Sequence, residues 1–140
     1  PRFVCHTLPV MTRVLVSSGS PFEERIGFSR AVRVGDWICV SGTAPLTENG
    51  ETESPGDLYL QTLRCLEIIQ QSIEEAGGQM KDVIRTRVLL TDASRWEEAA
   101  RAHGAVFSRI RPASTFAAVS SLLQKDWLVE IEADCLVNRS

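Results

Sequence analysis

The sequence has little of what several common protein classes require. It holds two histidines, His6 and His103, and four cysteines, Cys5, Cys39, Cys65 and Cys135. None of them falls in a CxxC or a Cys/His ligand spacing, so no metal is assigned. No apolar run approaches the roughly 20 residues that cross a bilayer, and no basic-then-apolar leader reads as a signal peptide. A cytoplasmic protein, bound to no membrane and with reduced, buried thiols, is the expectation. Basic excess is missing too: 15 Lys and Arg face 18 Asp and Glu, for a net charge of -3. That balance argues against a broad basic surface for nucleic acid and leaves room only for a local basic pocket.

What is present is ordinary for one globular domain: 140 residues, 44% of them hydrophobic and 24% charged. Residues 1–11 are expected to be a poorly ordered N-terminal extension, and residues 12–140 a single domain. Thr12–Ser17 is a short β-branched run that Gly19-Ser20-Pro21 breaks. Phe28–Val34 alternates and meets Gly35-Asp36, a two-residue hairpin signal leading into a strand at Trp37–Gly42. Pro45–Pro55, with Asn49-Gly50, is an exposed loop.

Ser54 and Pro55 then suit the cap and first position of a helix, with Asp57 in its first turn. Tyr59, Leu63, Leu66, Ile69, Ile73 and Ala76 make its apolar stripe, Gln61 lies off it, and Gly77-Gly78 ends it. Val83–Leu90 predicts a strand. Ser94 and Glu97 predict a capping box for a second helix with Trp96, Ala99, Ala100, His103, Val106 and Phe107 buried. Arg111-Pro112 stops it. Thr115–Leu122 and Trp127–Val137 complete the chain as strands joined by a turn at Gln124-Lys125-Asp126.

The order β-β-α-β-α-β-β, with room for one more strand in front, is an α/β (α+β) pattern: a mixed sheet with two helices on one face. In the last strand Trp127, Val129, Ile131, Ala133 and Cys135 point one way. Leu128, Glu130, Glu132 and Asp134 point the other. The acidic face meets water or a partner subunit, with Arg85 and Arg87 available as cross-strand partners.

Several segments in order resemble the Rid/YjgF family, also known as YjgF/YER057c/UK114 and as endoribonuclease L-PSP. They are Ile26-Gly27-Phe28-Ser29-Arg30-Ala31-Val32, Gly35-Asp36, Val40-Ser41-Gly42, and Gln61 with Cys65-Leu66. Ala76-Gly77, Asp82-Val83-Ile84, Arg111-Pro112-Ala113-Ser114-Thr115 and Val129-Glu130-Ile131-Glu132-Ala133 extend the match. The resemblance implies a chorismate-mutase-like fold, a homotrimer, small-molecule clefts between subunits, and no metal or organic cofactor. Its best-understood members hydrolyse enamines and imines to ketoacids and ammonia, and some relatives carry the endoribonuclease label.

By that resemblance Glu130 is the water-orienting, catalytic acid, and Phe28, Ser41 and Gly42 line the substrate cleft. Phe28 stands where the deaminases have tyrosine, and Ser114 follows Pro112-Ala113 where they have the arginine that binds a substrate carboxylate. A guanidinium fork gives bidentate, charged hydrogen bonds worth about 1.5–3 kcal/mol each, against one neutral bond from serine. Losing it costs roughly two decades of affinity for a carboxylate-bearing imine. Arg111 either compensates or is a surface or intersubunit residue, and Arg30, Arg85 and Arg87 are weaker candidates for the same role. Thr115 offers a further hydroxyl. Each assignment has a bland counterpart: Glu130 as a solvated acid, Phe28 as interface core. The expected function is a cofactor-free hydrolase or deaminase of a reactive nitrogen compound. The alternatives are a non-catalytic ligand-binding or protein-interaction trimer and, less favoured, an endoribonuclease.

Overall fold

The structure is a computed structural model that describes residues 12–138; the expected extension at 1–11 lies outside them. Along the chain run β1 (Arg13–Val16), α1 (Pro21–Ile26), β2 (Ala31–Val34) and β3 (Trp37–Thr43). Then come α2 (Leu58–Glu75), β4 (Val83–Leu90), α3 (Trp96–Phe107), β5 (Ala113–Ala118) and β6 (Val129–Leu136). The strands form one six-stranded sheet in the order β1-β2-β3-β6-β4-β5. Only β4 and β5 are parallel neighbours. This is the expected mixed sheet, and the optional front strand is present as β1.

β6 shows how the sequence builds the layers. Val129, Ile131, Ala133 and Cys135 are fully buried, and the acids between them face the other way. α2 lays Leu58, Cys65, Leu66, Ile69 and Ile73 on that apolar side, and α3 adds Ala99, Ala102 and Phe107. On the acidic side Arg87 lies 3.3 Å from both Glu132 and Asp134, the expected cross-strand ion pairs.

Local chemistry moved several boundaries. Ser20 accepts a bond from the Phe22 N–H, Pro21 occupies the first turn, and Gly27 closes α1 at φ 88. The segment read as a simple break is therefore a short helix. Because Gly27 and Phe28 both donate to the Glu23 carbonyl, β2 begins at Ala31 and not at Phe28. Asp57, not Ser54, caps α2 through the Leu60 N–H at 2.9 Å. The Ser94–Glu97 capping box does not form. Asp92 instead accepts from the Ser94 N–H at 2.9 Å and starts a 3-10 turn, and Trp96 is 51% exposed. Of the thiols among the described residues, Cys65 and Cys135 are buried as expected, but Cys39 is exposed beside Asp134; Cys5 lies outside the described residues.

The largest correction concerns β5 and β6, which are not a hairpin. β5 stops at Ala118 on the sheet edge, and residues 119–128 carry the chain back past β4 to insert β6 beside β3. Gln61, read as lying off the α2 stripe, is fully buried and holds this return. Its amide donates to the Asp126 carbonyl at 3.0 Å and accepts from the Leu128 N–H at 2.9 Å. A buried amide is tolerated there because its hydrogen bonds are made.

Candidate functional site

The first polar cluster grows from a bulge in β3. Val40 pairs with Ala133 and Thr43 with Ile131, so Ser41-Gly42 contributes one residue more than β6 opposite. Ser41 is tied down twice: its hydroxyl donates to the Ser29 carbonyl at 2.6 Å and its N–H to the Arg30 carbonyl at 3.0 Å. Gly42 has no side chain to keep Glu130 away. A Cβ there would stand 2.9 Å from Glu130 Oε1. Phe28, 37% exposed, immediately precedes Ser29 at the same end of the sheet.

Glu130 is half-buried, and burial pushes its carboxyl above the usual carboxylate range. The Arg30 guanidinium opposes that push and Glu132 adds to it. Arg30 Nη2 donates to the Gly42 carbonyl at 2.5 Å, whereas its Nε is buried without a hydrogen-bond partner. Cys65 is fully buried near both charges, and burial drives its thiol far up, so it stays protonated. Chemically, a carboxylate at the edge of desolvation can accept a proton from water.

The second cluster lies on the helix side of the sheet. Thr86 of β4, fully buried, shares its hydroxyl with Ser114 Oγ at 2.7 Å and His103 Nε2 at 2.8 Å. His103 packs tilted against Phe107 and edge-on against Phe116, with centroids 4.6 and 5.3 Å away, and burial lowers its pKa. The cluster is neutral at neutral pH. Arg111 precedes it in the left-handed region at φ 55, exposed, its N–H bonded to the Phe107 carbonyl at 2.8 Å. It therefore terminates the turn after α3 in a conformation that disfavours non-glycine residues.

Within one chain, then, the expected site residues fall into two groups. Phe28, Ser41, Gly42 and Glu130 come together around the bulge. Ser114 points to the opposite face, on the edge strand, with β4 between it and β6. Thr115 shares the acidic face but is exposed beside Arg87. Arg30, set aside as a weak candidate, belongs to the first group. Thr86 went unnoticed, and His103 was read only as part of an apolar stripe. Arg30 stood within a segment that carries the family resemblance, but no short motif marks Thr86 or His103, and the roles of all three depend on contacts distant in sequence.

The sequence profile of the endoribonuclease L-PSP family matches residues 18–137, which carry both clusters. The chain belongs to the Rid/YjgF family. A YjgF/YER057c/UK114-family structure from Mycobacterium tuberculosis is 41% identical, with a TM-score of 0.82 over 90% of this chain and 100% of that one. An uncharacterized protein of Streptomyces coelicolor is 36% identical across 85% of this chain and 88% of its own length. The 3-aminoacrylate deaminase RutC of Acinetobacter baylyi is 33% identical across 72% of this chain and 79% of its own length. Among the described residues of this family member, no helix is long and apolar enough to cross a membrane.

Proposed function

We propose that the protein is a homotrimeric, cofactor-free hydrolase that converts a small imine or enamine to a carbonyl compound and ammonia in a cleft between subunits. The observation that carries this reading is Glu130: a half-buried carboxylate, pushed up by burial, pressed against the only part of β3 without a side chain. Such a group takes a proton from water as the water oxygen adds to the C=N carbon. The carboxyl returns that proton to nitrogen, giving a carbinolamine. Collapse then passes the hydroxyl proton to nitrogen as C=O forms and C–N breaks to expel ammonia; an enamine first tautomerises to the imine. Atoms balance with water as the sole co-reactant, and the deaminase relative supports the reaction class.

The separation of the two clusters supports a site completed between subunits, where the Glu130 group of one chain would face the Arg111–Thr115 segment of the next. Ser114 in the position of the family's deaminase arginine then favours a substrate without a carboxylate. Serine offers one neutral hydrogen bond, and here its hydroxyl is already engaged by Thr86.

Light scattering of the purified protein measures the assembly. Freshly generated imines, with and without a carboxylate, are then mixed with it and ammonia release is followed. Accelerated release from the uncharged imine, lost in Glu130→Gln, supports the reading. A trimer that accelerates no imine yet binds one would be a ligand-binding protein instead. RNA cleavage that persists through purification and disappears in Glu130→Gln would favour the endoribonuclease label.

A further inference from the structure

We infer that Arg30 is the positioning residue of the Glu130 site: it clamps the Gly42 carbonyl and sets its guanidinium beside the carboxylate, fixing that carboxylate's place and charge. The backbone of Arg30 leaves little freedom. Its N–H donates to the Val16 carbonyl at 2.8 Å and its carbonyl accepts from the Ser41 N–H at 3.0 Å, so the residue bridges the ends of β1 and β3. From that anchor the side chain reaches Gly42, where Nη2 donates to the carbonyl at 2.5 Å. The bulge glycine is thus held from one side by Arg30 while Glu130 packs against its open side.

A structural role alone does not account for this arrangement. Arg30 is half-buried and its Nε has no hydrogen-bond partner, a costly way to keep a cation in a fold. The charged groups around it are few. Glu23 of α1 is already engaged by the N–H and hydroxyl of Ser18. Glu132 of β6 is paired with Arg87. The Cys65 thiol of α2 stays neutral. Glu23 and Glu130 are the two carboxylates that favour the Arg30 charge, and of them only Glu130 is not already held by neutral donors. Arg30 opposes the burial that would otherwise protonate Glu130, and Glu132 works against it. Removing Arg30 should therefore leave Glu130 protonated to higher pH.

The structural arm of the test does not depend on the proposed hydrolysis; only the kinetic arm rests on that reading. The Glu130 titration is followed by carbon NMR of full-length protein with labelled glutamate, assigned with Glu130→Gln. Arg30→Gln should raise the midpoint by about one unit, the low end of the effect of an opposite charge some ångströms beyond hydrogen-bonding contact. Arg30→Lys should reverse most of that shift. Should Arg30→Gln fail to fold, Arg30→Met, which keeps the stem packed, is read in its place. A midpoint unmoved by loss of the charge overturns the inference, whatever the enzyme does with imines. In the kinetic arm, the acid limb of the kcat profile should move with the NMR midpoint. If wild-type protein turns over no imine but the midpoint moves, the hydrolytic reading fails and the role of Arg30 stands.

Discussion

The two polar clusters are built from similar materials and solved oppositely. Around Gly42 the fold buries charge and leaves it incompletely paired: Arg30 keeps an unused donor and Glu130 sits against a glycine. Around Thr86 it places only neutral groups, from buried Thr86 through half-buried His103 to exposed Ser114, and they satisfy one another. A buried hydroxyl network with its partners in place rigidifies a core. A carboxylate held partly out of water by its surroundings stores reactivity. On the proposed reading the bulge of β3 serves the chemistry, while the Thr86 cluster ties β5 to β4 and α3.

That contrast can be broken in order of expected effect. Glu130→Gln should lower imine turnover at least about a hundredfold, the usual worth of a positioned base. Retained activity would make the bulge cluster as structural as its counterpart. Ser114→Arg restores a guanidinium to the second cluster. Calorimetry with a carboxylate-bearing imine analogue should then show roughly tenfold tighter binding or better, since one charged hydrogen bond contributes about 1.5–3 kcal/mol. No gain would place Ser114 outside the cleft.

Thr86→Val should cost about 1 kcal/mol in denaturant unfolding, because it leaves the His103 nitrogen only the long 3.5 Å contact to Ser114 Oγ, while leaving the Glu130 titration unmoved. Gly42→Ala should behave in the reverse way. The new methyl meets the far end of the Glu130 side chain and not backbone, so turnover should fall several-fold with stability changed by less than about 1 kcal/mol. The smallest effect concerns pH. Burial lowers the folded-state pKa of His103, so the unfolded chain binds the proton more readily. Stability from this residue is full above the ordinary histidine pKa of about 6.5 and is lost as pH falls toward the depressed value. Unfolding midpoints of His103→Gln should be flatter than wild type across that window; parallel curves would show that His103 does not titrate with folding.

Much of the fold was legible because it rests on local periodicity. The alternation in β6, the Gly35-Asp36 hairpin and the β4 boundaries required only the side-chain pattern of single elements. Helix starts were misjudged where two caps competed: Ser54 against Asp57, and Ser94 against Asp92. Both serines looked suitable, but only the backbone path shows which oxygen reaches a free N–H. The candidate site was legible in half. Ser41, Gly42 and Glu130 were named from motif order, whereas Arg30 was weighed as a surface ion-pair residue and Thr86 passed over.

By itself, the sequence determined the family, the mixed sheet and which face of each long element is apolar, since composition and spacing decide which side chains leave water. Tertiary structure alone decided that β6 inserts between β3 and β4, that Gln61 is buried to hold that return, and that the expected site residues split between two faces. Periodicity reports a residue's preference for burial, but not which distant groups will satisfy its hydrogen bonds or charge. Arg30 and Glu130 are 100 positions apart, and only the β3–β6 pairing brings them to the same glycine.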